Sequence, residues 1–168
     1  ANARALSAGY WIASQADRLA VTPSGQVGSI GIIYEHEDVS GMNEKLGVKV
    51  TTITHGKNKA MGSPNEPLSD EARAEIEKLV RQYGAAFEAD VAKGRGVTTA
   101  AVRKDFGQGL VFGGEEAVKL GMADEVGTLD DVLRKVSGKS GAPAVAAVAP
   151  PAGPGAEERA ALARLRAL

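Results

Sequence analysis

VGSIGIIYEHEDVSGMNEKLGVKVTTIT, residues 27–54, is the stretch that decides the fold class. Its first part carries the apolar run Ile30-Gly31-Ile32-Ile33, of the length and composition of a strand covered on both faces. Val39 to Leu46 reads as a short helix ended by Gly47. Val48-Lys49-Val50-Thr51-Thr52-Ile53-Thr54 is rich in β-branched residues and reads as the next strand. Strand, helix, strand in that order predicts an α/β domain with a parallel sheet.

The same reading extends in both directions. Upstream, Ser7 to Ala16 combines small residues with Tyr10, Trp11 and Ile12 and predicts a mostly buried helix. The strand Leu19-Ala20-Val21 and the turn Pro23-Ser24-Gly25 follow. Downstream, the longest helix spans Ser69 to Lys93. Ser69 is its N-cap, Asp70 and Glu71 lie in its first turn, and Gly94 stands at its end. Ile76, Leu79, Val80, Tyr83 and Phe87 recur at helical spacing and predict a core-facing side. Further expectations are a helix from Thr98 to Phe106, a strand Leu110-Val111-Phe112, a helix from Glu115 to Leu120 and a strand Ala123 to Val126. A last helix, Leu129 to Val136, starts after Thr128.

The domain is thus expected over residues 1–137. From 138 to 155 the composition shifts to Ala, Pro and Gly, including Pro150-Pro151 and Pro154, which reads as a linker. Residues 156–168 read as the start of a helical tail.

Composition narrows the function. The 168 residues hold 43% hydrophobic side chains but only 4% aromatics, so the expected core is aliphatic and alanine-rich. A net charge of -1, with acids and bases interspersed, lacks the basic footprint of a nucleic-acid binder, and no nucleic-acid partner is expected. With Cys 0 there is no disulfide framework, thiolate metal site or cysteine nucleophile. No apolar run approaches the roughly 20 residues of a membrane helix.

Candidate chemistry centres on Ser7. At the first turn of its helix it would lie beside free backbone N–H groups, where an oxyanion is favoured, and Ala8 and Gly9 leave room for a substrate backbone. A serine hydroxyl needs a group to take its proton, and a lysine of Gly56-Lys57-Asn58-Lys59 can do so where burial favours the neutral amine. The residues alone leave alternatives open: Ser7 as a helix cap, either lysine as a solvated surface charge, Lys57 in place of Lys59. A Ser-His-Asp triad would have to draw on His36 or His55, the only histidines. The glycines of Gly25 to Gly31 lack both the P-loop ending and the GxGxxG spacing. Glu35-His36-Glu37-Asp38 reads as a solvated loop rather than a metal site, since adjacent residues on a strand end point to opposite faces. No cofactor is expected.

Several ordered motifs resemble one family. These are Ser7-Ala8-Gly9-Tyr10-Trp11-Ile12-Ala13-Ser14-Gln15-Ala16-Asp17, Val27-Gly28-Ser29-Ile30-Gly31, Gly56-Lys57-Asn58-Lys59 and Ser63-Pro64-Asn65-Glu66-Pro67-Leu68-Ser69. Lys93-Gly94-Arg95-Gly96, Val111-Phe112-Gly113-Gly114 and Asp124-Glu125-Val126-Gly127 continue the series. Together they cover most of Ser7 to Val136 and are similar to the S49 group of serine peptidases, the signal-peptide-peptidase-like enzymes. Within that group the likeness is to the head-maturation proteases of phages and prophages.

The resemblance implies a ClpP/crotonase-like fold with a mainly parallel sheet flanked by helices. It also implies Ser7 as nucleophile, Lys59 rather than Lys57 as general base, and Ser29 as a supporting residue that orients the lysine. It further implies a ring-shaped homo-oligomer, a polypeptide substrate and a location in the bacterial cytoplasm or the phage procapsid. Capsid or scaffold protein is the expected substrate. The alternatives are a signal peptide peptidase that degrades cleaved leader peptides and a non-catalytic ring-forming assembly module. Arg4 and Leu6 stand where relatives carry small or neutral residues. Family members also have an upstream strand ending in a Pro-Gly-Gly-like turn that supplies an oxyanion donor, and these 168 residues contain none. The domain is therefore expected to lack its upstream part. Losing such a donor costs about 10²–10³ in rate, so the chain by itself is expected to be a poor catalyst.

Overall fold

A computed structural model describes residues 1–138. The linker and tail expected over 138–155 and 156–168 lie outside the described residues, save Gly138 itself. Residues Ala1–Val132 make one compact unit, and a second begins at Leu133. The chain is α/β. Strands β1 (Arg4–Leu6), β3 (Gln26–Gly28) and β4 (Val111–Gly113) form a sheet in the order β1-β3-β4, while β2 (Ala20–Val21) pairs with β5 (Glu125–Val126). The β1–β3 and β2–β5 pairs are parallel and β3–β4 is antiparallel.

Among the described residues six helices accompany these strands: α1 (Ala8–Ala13), α2 (Ser40–Lys45), α3 (Asp70–Arg95), α4 (Thr99–Asp105), α5 (Gly114–Lys119) and α6 (Leu129–Val136). Three of them, α3, α4 and α6, start on the cap chemistry of the sequence. Ser69 Oγ accepts the Ala72 N–H at 3.2 Å, and Thr98 Oγ1 accepts the Ala101 N–H at 3.1 Å. Thr128 and Asp131 bond reciprocally across the first turn of α6, through Thr128 N–H to Asp131 Oδ2 at 2.9 Å and Asp131 N–H to Thr128 Oγ1 at 3.2 Å. Helix α3 runs through Gly94 and stops at Gly96, whose φ of 65° is the left-handed C-cap conformation.

The core gathers Tyr10, Val21, Val27, Phe87, Val91, Phe106 and Met122. Only the C-terminal half of α3 enters it. Phe87, Val91 and Ala92 are buried, whereas Leu79 and Tyr83, expected on the core side, are exposed. Where α3 passes α1 the backbones nearly touch. A Cβ built on Gly94 would lie 2.8 Å from the Ser14 carbonyl carbon and closer still to its oxygen. Trp11 seals this crossing by stacking on Phe87, with ring centroids 4.5 Å apart and planes 4° from parallel.

Two expected strands are not strands. Strand β3 ends at Gly28, and residues 30–34 join no ladder. Ile30 is buried, but Ile33 is 81% exposed, so this run is not covered on both faces. Residues 48–54 likewise join no ladder, and Ile53 is 92% exposed. Residues 29–69 form an arm that contains α2 and contributes no strand to either sheet. β-Branched composition favours extended backbone, but a ladder also needs a neighbour, and none of the described residues supplies one.

Candidate active site

The site is built at the end of β1. Parallel pairing sets Ala5 opposite Val27 and Leu6 opposite Gly28, and the Ser7 N–H then donates to the Gly28 carbonyl at 2.9 Å. Here the chain turns sharply. Ser7 has φ 51° and ψ -125°, a conformation that L residues avoid and that persists only where the surroundings hold it. The holding groups are visible on both sides of the residue. Gly28 takes its N–H, while its carbonyl accepts the Tyr10 and Trp11 N–H groups, each at 2.9 Å, as α1 begins.

Although Ser7 stands at the N-cap of α1, its side chain makes no capping hydrogen bond. The hydroxyl is therefore not spent on the helix, which removes the capping alternative. Ser7, Ala8 and Gly9 are all exposed. The Ala8 and Gly9 N–H groups open the helix and have no acceptor among the described residues, as the first amides of a helix do not. An exposed hydroxyl beside unspent amide donors at a strand-to-helix turn can present a nucleophile and receive the oxyanion it generates.

Ser29 follows Gly28 directly and so falls beside Ser7 in register, at the ends of neighbouring parallel strands. It too has a positive φ, 55°, and its N–H donates to the Leu110 carbonyl at 2.7 Å. The two serines thus follow paired residues at the ends of neighbouring strands. Lys59 lies exposed on the arm in a turn closed by its N–H to the Gly56 carbonyl at 3.1 Å, and no hydrogen bond joins it to Ser7 or Ser29 among the described residues. Lys57 differs from Lys59 in being paired with Glu71, at 3.6 Å on the surface.

The remaining candidates separate from this site. Asp38 accepts the Ser40 N–H at 2.9 Å, and hydrogen bonding from Ser40, its side chain first and then this N–H, holds the carboxyl below the usual carboxylate range. His36 is half-buried with Nε2 unpartnered, in a cleft of about 550 Å³ between the arm and α3. Ile32, Tyr34, Arg73 and Ile76 help line that cleft, while Ser7, Ser29 and Lys59 do not.

Sequence reasoning gave no role to the groups behind α1. Tyr10 is fully buried, and its hydroxyl donates to the Met122 carbonyl at 2.8 Å. Burial pushes the phenol well above its ordinary pKa and keeps it a neutral donor. Arg95 forks onto Asp124 at 2.8 and 3.1 Å and donates through Nε to the Gly121 carbonyl at 3.1 Å. That guanidinium bonding, followed by the Leu19 N–H, holds the Asp124 carboxyl below the usual range. The signal lay in Lys93-Gly94-Arg95-Gly96 and Asp124-Glu125-Val126-Gly127, stretches whose distance in sequence hides their ion pair.

With this geometry in place, comparison with known proteins is specific. The model of peptidase family S49 matches residues 1–142. The chain belongs to peptidase family S49. A protein of Methanocaldococcus jannaschii named as a protease is 35% identical over 130 residues, covering 77% of this chain and 42% of the relative. A protein of Enterococcus faecium bearing the name signal peptide peptidase SppA is 37% identical over 129 residues, covering 77% of this chain and 37% of the relative. The capsid assembly protease C of Escherichia phage lambda is 32% identical over 133 residues, covering 79% of this chain and 30% of the relative. This S49 chain thus spans less than half the length of each of these relatives. Among its described residues no helix is long and apolar enough to cross a membrane.

Proposed function

We propose that this S49 chain carries the nucleophile and the general base of a serine endopeptidase, Ser7 and Lys59, on a ClpP/crotonase-type fold. The observation that carries the reading is the conformation of Ser7. Its hydroxyl is exposed and uncommitted at a strained strand-to-helix turn, beside the free N–H groups of Ala8 and Gly9. In the reaction Lys59, as the neutral amine, takes the hydroxyl proton while Ser7 Oγ attacks the scissile carbonyl. The backbone N–H groups stabilise the tetrahedral oxyanion. The protonated lysine then gives its proton to the leaving amine, and water, deprotonated in turn by the lysine, hydrolyses the acyl-enzyme.

A lysine that serves as base must be desolvated, and Lys59 is exposed in the single chain. Assembly supplies the missing cover in this reading. The arm bearing Lys59 contributes no strand to either sheet and exposes Ile33 and Ile53, which supports a homo-oligomeric ring in which arms pack on neighbouring subunits. In this reading Ser29, which follows Gly28 at the strand end, orients the incoming amine. The substrate is an extended polypeptide. The phage relative's name supports capsid or scaffold protein as that substrate, in the host cytoplasm or procapsid. The Enterococcus relative's name supports leader peptides as the second reading.

The test is hydrolysis of casein by the full-length protein. Ser7→Ala and Lys59→Ala are each expected to abolish it, with Lys57→Ala retaining it. Unchanged hydrolysis in either of the first two variants overturns the dyad. Defined rings by light scattering without hydrolysis or labelling by a fluorophosphonate would identify an assembly module instead.

A further inference from the structure

We propose that Tyr10 is a positioning residue for Ser7, and that the Arg95–Asp124 pair acts through it by fixing the carbonyl to which Tyr10 is tied. The proposal rests on the reading of Ser7 as nucleophile and concerns how its unfavourable conformation is held. A left-handed serine is retained only if neighbouring groups over-determine it. The Ser7 carbonyl is gripped by the N–H groups of Tyr10 and Trp11, so the placement of those two residues holds the backbone from which Ser7 Oγ projects.

Both residues are fastened to distant parts of the chain. Trp11 stacks on Phe87 and donates through Nε1 to Asp90 Oδ2 at 2.8 Å. Tyr10 reaches the opposite way, into the core, and its hydroxyl meets the Met122 carbonyl at 2.8 Å. Met122 lies in the short turn between α5 and β5, which is itself fixed from two sides. Arg95, with a side chain only 6% exposed, bonds the Gly121 carbonyl and the Asp124 carboxylate, and Asp124 accepts the Leu19 N–H at 2.6 Å. A bidentate guanidinium–carboxylate pair gives directional constraint as well as attraction. The line of contact runs from the end of α3, through residues 121–124, to the phenol and then to the backbone of Ser7.

The experiment compares Tyr10→Phe, Asp124→Asn, the double variant and Ser7→Ala in the full-length protein. It reads casein kcat and KM, the rate of labelling by a fluorophosphonate, and the melting temperature. Tyr10→Phe deletes one hydroxyl and keeps the ring, so it is expected to lower kcat and the labelling rate about tenfold, the effect of one buried hydrogen bond, with KM within about twofold. Asp124→Asn is expected to lower the same two rates, and the double variant to fall short of the product of the single effects, because both act through one carbonyl. Should Tyr10→Phe fail to fold by circular dichroism, Arg95→Lys carries the same expectation, since lysine keeps the charge without the fork. A lowered melting temperature with unchanged kcat and labelling rate would reduce Tyr10 to a packing residue and overturn the proposal. If Ser7→Ala keeps activity and labelling, the nucleophile reading itself fails. If only Ser7→Ala is impaired, positioning alone fails.

Discussion

The Ser7 N–H donates to the Gly28 carbonyl at 2.9 Å, one residue beyond the β1–β3 ladder. That bond carries the parallel pairing into the turn and sets Ser7 beside Ser29. Both serines have positive φ, 51° and 55°. The candidate site is therefore a property of two strand ends fixed in register.

Gly28 is the residue on which this register depends. Its φ is 113°, and a Cβ would meet the Leu110 carbonyl oxygen at 2.7 Å. Gly28→Ala is expected to cost about 2 kcal/mol or more through backbone strain and overpacking, with loss of peptidase activity. Thermal unfolding should show a fall of roughly 5 °C or more. A melting temperature and activity equal to wild type would contradict the register account.

Gly94 permits the crossing of α1 and α3. The methyl of Gly94→Ala would drive into the Ser14 carbonyl, a backbone group that cannot swing aside. The expected loss is about 2 kcal/mol, with a weaker Trp11–Phe87 stack because the helices must part. The single Trp of the sequence reports this directly, as a red-shifted emission.

Phe87 is 1% exposed and carries the ring on which Trp11 lies. Phe87→Ala is expected to destabilise the domain by about 3–5 kcal/mol. Phe87→Leu should lose less, since it keeps most of the volume but not the stacking. Urea unfolding followed by Trp11 fluorescence ranks the two, and equal losses would show that stacking contributes nothing.

Two groups behind α1 make stability depend on pH. The folded carboxyl of Asp124 is held below its unfolded value, near 3.9, so its contribution is present above that pH and is lost as pH falls through the folded value. Its side chain is 36% exposed, which limits the effect to about 1 kcal/mol. The Tyr10 phenol is raised above about 10, so its contribution is intact below pH 10 and declines above it. Urea melts across pH should therefore show a shallower acid slope in Asp124→Asn and a shallower alkaline slope in Tyr10→Phe. Slopes identical to wild type would contradict both assignments.

Helix starts were legible because their chemistry is local. Ser69, Thr98 and Thr128 cap α3, α4 and α6 within a residue of where their side chains predict. What depends on partners was not legible. The run at 30–33 and the β-branched run at 48–54 have strand composition, yet neither finds a ladder, and Leu79 and Tyr83 show the right spacing on a part of α3 that meets no core. Motif resemblance picked out Ser7, Ser29 and Lys59. The left-handed turn at Ser7 could not be read, since its cause lies in Gly28 and in the bonds of Tyr10 and Trp11.

The most direct measurement is fluorophosphonate labelling of the full-length protein, with the modified residue mapped by mass spectrometry in wild type and in Lys59→Ala. The account predicts a single adduct on Ser7 that forms at least about 100-fold more slowly without Lys59, a loss in the range expected for a general base. An adduct on another residue, or labelling of Ser7 at an unchanged rate in Lys59→Ala, would contradict it.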